Sequence, residues 1–410
     1  MSSGNTSPRI LYITAFWPRQ VATCGAEVRA RNVLRALEHV GNVEVVMLCD
    51  ERTKVDLISE SCREFKVAYA FDLKPQRNSR FIGKLRWTLD PRIQYPHGLG
   101  VGEDAMRPLF RSLNTFDLVW FFQLRAANML PTETWRRSVV DIDDVQSTHQ
   151  RTILQMGTGP LERINAFRRQ FSWRRREKLL GNRFTVLAVC NEEDREYLRG
   201  MGIAAPVHVI PNGFERPSDE PVYSPAKPPR IGFIGTFGHP PNRDGINWFL
   251  NNCWPQVKRE EPNVRLRLVG EGSKGPRAPS GQDVDGLGWL ANPSEEIKTW
   301  SAMVVPIRTG AGTRVKIVQA FSHKCPIVST SFGALSYGKV DGREMHLADS
   351  AQAFAGACLK IIREPEKAAQ MAETAWVTFL EKWTWDAICP RVWAAAEECL
   401  RVSGTRSLTA

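Results

Sequence analysis

The segment 306–330, PIRTGAGTRVKIVQAFSHKCPIVST, gathers residue types that can hold a phosphate. An apolar run closes at Pro306 and a turn carrying Gly310 and Gly312 follows. A helix-compatible stretch opens near Thr313, with Arg314 and Lys316 in its first turn. The free N–H groups and positive dipole end of a helix start favour an anion, and two cations add charge-assisted hydrogen bonds. A nucleotide diphosphate fits that pattern. The competing reading is a glycine-bearing strand-to-helix turn that binds nothing.

A second candidate lies in VVDIDDVQSTHQ, 139–150. Asp141 and Asp143 form a DxD string, the pattern that holds a divalent ion on a diphosphate in some transferases. The other reading places Asp143 or Asp144 at the carboxyl end of a strand, presenting a polar side chain to a ligand. Strand alternation puts Asp141 and Asp143 on one face. His149 is a candidate base, though it falls in helix-compatible sequence beyond the strand end. Glu271, in the turn VGEGS, is a third candidate, and a solvated loop carboxylate is its alternative. Trp383 and Trp385 read as core anchors before sugar-stacking platforms.

The elements that must position these residues alternate between short apolar runs and helical patterns, which signals an α/β architecture with parallel sheets. RILYITA (9–15), VEVVMLC (43–49), FDLVWFFQ (116–123), VVDID (139–143), TVLAV (185–189) and VHVIP (207–211) read as strands. The stretch 71–106 is rich in Pro, Gly and Arg and reads as irregular. Five prolines in 217–229 cannot continue a helix or a central strand, so this stretch reads as a linker. A second series follows it: RIGFIGTF (230–237), a helix from about Arg243, VRLRLVG (264–270), VDGLGWL (284–290), MVVPIR (303–308) and PIVST (326–330). The expectation is two doubly wound parallel-sheet domains, 9–216 and 230–380, with a cleft between them and a closing helix over 381–402. Ligands of such sheets sit beyond the carboxyl ends of the strands.

The chain has 410 residues, enough for two domains, and its 42% hydrophobic and 24% charged residues are those of a globular protein. No apolar run reaches the roughly 20 residues of a membrane span, and no signal-peptide pattern opens the chain. Nine scattered cysteines without CxxC spacing point to reduced, mostly buried thiols, to a cytoplasmic setting and to no metal site. Lys plus Arg minus Asp plus Glu is 55 − 44 = +11. The excess concentrates in 163–178, RINAFRRQFSWRRREK, where basic residues alternate with Phe167, Phe171 and Trp173. One reading rests this helix on an anionic membrane surface, and the other packs its aromatics into the domain core.

The 306–330 segment resembles the donor-binding stretch of family 4 of the glycosyltransferases, in the branch associated with bacterial polysaccharide clusters. VHVIPNGFE (207–215), FIGTFGHPPNRDGINWFLNNCWPQV (233–257), LRLVGEG (266–272) and GLGWL (286–290) match in order, and CGAEVRARNVLRAL (24–37) resembles the family's glycine-bearing loop. The resemblance implies the GT-B fold, two Rossmann-like domains, and transfer of a sugar from a nucleotide-diphosphate sugar to a saccharide, lipid-linked or small-molecule acceptor with retention. It implies donor contacts at Gly25, Gly235, Thr236, Asn242, Glu271, Gly310, Gly312, Thr313 and Gln319, catalytic roles for Arg314, Lys316, Asp143 and Asp144, and no cofactor or metal. Nucleic acid is not an expected partner. Peripheral contact with the inner face of an anionic membrane is. One departure stands out: the family commonly has two glutamates where this chain has Ala311 and Gln319. An amide still pairs with ribose hydroxyls but loses the charge-assisted bond. A nucleotide-sugar 2-epimerase of the same fold and a catalytically impaired scaffold are the alternatives.

Overall fold

The computed structural model describes residues 7–19, 25–50, 54, 64–75, 85, 88–91, 99–130, 135, 137–155, 159–310, 312–337 and 341–406. Cys24, Cys62, Ala311, both chain ends and much of 71–106 lie outside these residues. The chain forms two compact units, Met1–Pro211 with Ile388–Ala410, and Asn212–Ala387.

The first unit is built on a seven-stranded parallel sheet. Its main elements are β1 (Arg9–Thr14), α1 (Gly25–Glu38), β2 (Asn42–Cys49), β3 (Val67–Asp72), α2 (Glu103–Ser112), β4 (Leu118–Phe122), β5 (Ser138–Asp143), α3 (Gln146–Gln155), α4 (Pro160–Glu177), β6 (Val186–Val189), α5 (Glu192–Gly200) and β7 (Val207–Val209). The strand order is β3-β2-β1-β4-β5-β6-β7. Strands β4 and β6 are buried along their whole length. Helices on both faces of a parallel sheet leave no wet side, which is why these strands are unbroken apolar runs and not alternating ones. β3, VAYAFD, hid in the sequence because its outer residues stay half-exposed at the sheet edge.

The second unit carries a six-stranded parallel sheet in the order β10-β9-β8-β11-β12-β13. It comprises β8 (Arg230–Ile234), α6 (Pro240–Trp248), β9 (Arg265–Val269), β10 (Val284–Gly288), β11 (Ala302–Val305), α7 (Val315–Phe321), β12 (Ile327–Ser329), β13 (His346–Leu347), α8 (Ala351–Arg363) and α9 (Pro365–Lys382). Trp300, Phe233, Phe249, Phe321, Phe354 and Phe379 are fully buried in its core. At roughly 1.5–3 kcal/mol per buried large apolar side chain, such residues dominate the driving force for folding.

The proline-rich 217–229 is more than a tether. Tyr223 packs on the second core and donates from its hydroxyl to the Ser301 carbonyl at 3.0 Å, while the Ala226 N–H donates to Thr299 O at 3.0 Å. The unit begins at Asn212, ahead of the expected boundary. The last helix, α10 (Trp385–Arg406), contributes its residues from Ile388 onward to the first unit, where Trp393 Nε1 donates to the Ala36 carbonyl at 2.8 Å. Trp383 and Trp385 are buried, as core anchors should be. The described cysteines are free, and all except the half-buried Cys389 are buried.

Candidate functional site

In the second sheet the strand order reverses between β8 and β11, since the chain runs outward through β9 and β10 before returning to β8's other side. Loops leaving the carboxyl ends at such a reversal part company and leave a crevice. Gly235 follows β8 there. Its N–H donates to Val269 O at 3.0 Å, and the Phe237 N–H donates to the Glu271 carbonyl at 2.8 Å, so the loops after β8 and β9 are stitched together. The backbones meet closely: a Cβ on Gly270 would lie 2.2 Å from Gly235 O, which only glycine permits. Pro240 opens α6, where a missing N–H is harmless. One turn in, Asn242 donates from Nδ2 to Thr236 O at 2.9 Å.

On the β11 side the chain passes Pro306 and a loop in which Gly310 and Gly312 take φ of 118° and 69°, left-handed values that favour glycine. Helix α7 then begins at Val315, two residues later than Thr313. Lys316 Nζ crosses back to donate to Asn242 Oδ1 at 2.8 Å and sits 4.1 Å from the Phe233 ring centroid. A Cβ on Gly235 would stand 3.1 Å from that ammonium and 2.8 Å from Asn242 Nδ2. Burial, with Arg314 adding like-charge repulsion, pushes the Lys316 ammonium down to about 7. The residue still reaches the surface in part. It is a cation held against its preference beside an open backbone.

Arg314 stands just ahead of the helix, at its N-cap. It donates from Nη1 to Gly312 O at 2.7 Å and lies 5.3 Å from the Phe332 ring centroid, wrapped on its own loop. Thr313 Oγ1 accepts from Asn212 Nδ2 at 2.8 Å. Nothing in the segment VHVIPNGFE marks Asn212 for this contact, since its partner lies 101 positions away. Thr236 and Glu271 are exposed loop residues, and Glu271 contributes its carbonyl to the loop stitching. Gln319 is half-buried, and among the described residues its carboxamide shows no hydrogen bond.

In the first unit, Gly25 is the first residue of α1. The regular alternation expected of Asp141 and Asp143 is interrupted. The β5–β6 register shifts between them and Asp143 adopts φ 61°, which breaks the alternation. Asp141 is fully buried and bidentate with Arg29, Nε to Oδ2 at 3.0 Å and Nη2 to Oδ1 at 2.9 Å, while Arg29 Nη1 also donates to Pro211 O at 3.1 Å. Burial lifts the Asp141 carboxyl above its usual range against the pull of Arg29; the guanidinium is held charged by Asp141 despite its own burial. Both Asp141 oxygens are engaged by the buried Arg29 guanidinium, so Asp141 serves as the partner of that cation. Asp143 Oδ2 accepts from Gln123 Nε2 at 3.2 Å, and Gln123 itself has φ 65°. Asp143, Asp144 and the buried Cys190 bring their ligand atoms within 4.8 Å of one another. Burial and the two carboxylates keep the Cys190 thiol protonated, an ill-matched partner for hard-cation oxygen ligands. His149 lies half-buried on α3. No described helix is long and apolar enough to cross a membrane.

Residues 228–364 match the model of the group 1 glycosyl transferases. A protein of the Klebsiella pneumoniae cps region, described as an uncharacterized 44.6 kDa protein, is 28% identical over 184 residues, 41% of this chain and 47% of its own length. The match thus spans about half of that relative. Among solved structures, Anabaena HepE in complex with UDP-glucose superposes with a TM-score of 0.60 at 16% identity, covering 94% of this chain and 98% of that one. Sucrose-phosphate synthase from Thermosynechococcus elongatus gives 0.66 at 14% identity, covering 96% and 100%. The fold is GT-B, and the resemblance to family 4 glycosyltransferases is borne out.

Proposed function

We propose that this chain, whose residues 228–364 match the group 1 glycosyl transferases, moves a sugar from a nucleotide-diphosphate sugar to a saccharide, lipid-linked or small-molecule acceptor with retention. The second unit holds the nucleotide diphosphate and the first the acceptor. The C–O bond to the diphosphate breaks, a C–O bond to an acceptor hydroxyl forms, and the hydroxyl proton leaves with the diphosphate. The observation that carries this reading is Lys316, fixed by Asn242 over Phe233 at the reversal point of the second sheet. Its ammonium is destabilised until an anion arrives, so its attraction grows with the charge on the leaving group. Gly235 keeps the backbone beside it open to a phosphate oxygen, and Gln319 faces the ribose as an uncharged substitute for glutamate. These cations and N–H groups take the place of a metal. The reaction belongs in the cytoplasm, with peripheral contact at the inner membrane face.

HepE was crystallised with UDP-glucose, which makes UDP-sugars the first donors to test, ahead of GDP- and TDP-sugars. Nucleotide diphosphate release should require an acceptor, and Lys316→Ala should lower it by roughly 10²-fold or more. Sugar isomerisation without diphosphate release would replace this reading with a 2-epimerase. Binding without chemistry on any donor and acceptor would leave a scaffold.

A further inference from the structure

We propose that α4 and residues 88–91 beside it form a surface that docks on a bilayer of anionic phospholipid, with its apolar side chains entering the headgroup boundary. The exposed large hydrophobics among the first unit's described residues are Leu85, Leu89, Leu161, Ile164, Phe167 and Phe171, and the last five lie on α4 or on the residues it holds; four of these are on the helix itself. Leu161, Ile164, Phe167 and Phe171 recur at helical spacing along one face of α4, with Phe167 64% and Phe171 55% exposed. The opposite face, Ala166 and Trp173, is buried in the first unit's core. The helix is therefore apolar on two sides and only one side is covered. Leu89 joins the stripe because α4 holds its segment: Arg175 Nη1 donates to Leu89 O at 3.0 Å and Arg176 Nη2 to Asp90 O at 2.9 Å.

Charge names the occupant. Arg163, Arg169, Arg174 and Lys178 are exposed along the same helix and its end, Arg168 and Arg175 are half-exposed, and Arg175 lies 5.6 Å from the Phe171 ring centroid. Only Glu162 among the helix's exposed side chains is acidic. A second copy of the chain would set arginine against arginine, whereas an anionic headgroup layer neutralises the rim as the stripe enters the acyl boundary. The surface stands on side chains of the first unit and is independent of the transfer reading; delivery of a lipid-linked acceptor is the part that rests on that reading.

The test is co-sedimentation of the full chain with phosphatidylglycerol–phosphatidylcholine vesicles and with pure phosphatidylcholine. Binding should need phosphatidylglycerol and weaken with salt. Arg163, Arg169, Arg174 and Lys178 changed together to Gln should lower partitioning by roughly 10²-fold or more. Ile164, Phe167 and Phe171 changed together to Ser should also weaken it while leaving the charge intact. These side chains are exposed, so circular dichroism should report an unchanged fold, and diphosphate release with a soluble acceptor should be unchanged. No sedimentation with anionic vesicles at low salt overturns the proposal, as does a serine variant that binds like the parent. A dimer in solution that the serine changes dissociate would assign the stripe to a second copy instead, and tight binding of single-stranded RNA with none to vesicles would assign it to nucleic acid.

Discussion

Lys316 offers a sharp test of the diphosphate site because its charge is costly before a ligand arrives. Burial and Arg314 hold its ammonium at about 7 in the free protein. A bound diphosphate is an opposite charge within a few ångströms and must raise it. The sign follows from linkage: the bound state keeps a proton that the free state sheds, so affinity is greatest below pH 7 and falls as pH rises toward the bound-state value. Each pH unit in that window costs up to about 1.4 kcal/mol, a tenfold rise in Kd, and less where solvent reaches the ammonium. With a free-state value of about 7, roughly 0.9 proton should be taken up per diphosphate bound at pH 8, and about 0.1 at pH 6 from this group. The terminal phosphate, titrating near about 6, is already ionised above pH 7 and does not confuse the upper range. Calorimetry of UDP binding at pH 8, in buffers of different ionisation enthalpy, reads the proton count directly. Lys316→Met should bind more weakly and lose the uptake. Uptake near zero in the parent, or an unchanged slope in Lys316→Met, refutes the placement of this ammonium against the diphosphate.

Gly235→Ala should raise the apparent donor KM several-fold and also lower the thermal midpoint, because the new methyl meets Asn242 Nδ2 at 2.8 Å and Lys316 Nζ at 3.1 Å on a backbone of φ 155° that favours glycine; an unchanged KM would move the phosphate elsewhere. Arg29→Met alone strands the buried Asp141 and should cost roughly 3–5 kcal/mol in urea unfolding, with Arg29→Met plus Asp141→Leu recovering most of it; a single variant as stable as the parent would contradict the ion pair. Glu177, pushed up to about 7 by burial against the Ser147 bonds, contributes stability that is full below the ordinary carboxylate range and lost as pH rises through about 7. Glu177→Gln should flatten that part of the stability–pH curve, and an unaltered curve counts against the burial. Turnover should persist in EDTA; complete loss restored by manganese would return Asp143 and Asp144 to metal binding.

Strands were legible wherever both faces of the sheet are covered, because a parallel strand then reads as an unbroken apolar run, as LVWFF and AMVV do. Edge strand VAYAFD escaped, being wet on its outer residues. The glycine loop before α7 was legible from composition, but the partners of its cations were not. Lys316 and Asn242 are 74 positions apart, and only the reversal of strand order brings β8's loop beside β11's. Nor could periodicity say where Arg314 points, since a long side chain near free carbonyls satisfies itself locally before it reaches for a ligand. The geometry of the DxD string was illegible for a related reason: the alternation that placed Asp141 with Asp143 holds only while the strand is regular, and a register shift with one left-handed residue interrupts it. On α4 the wheel was correct and still undecided, because Trp173 and Ala166 compete with Phe167 and Phe171 for the interior. A helix can bury one face in a sheet-backed core, and the fold chose the face carrying Trp173, close to the helix end that also supplies Glu177 to Ser147. What that choice leaves outside, two phenylalanines among arginines, is the feature of this unit that folding alone does not account for.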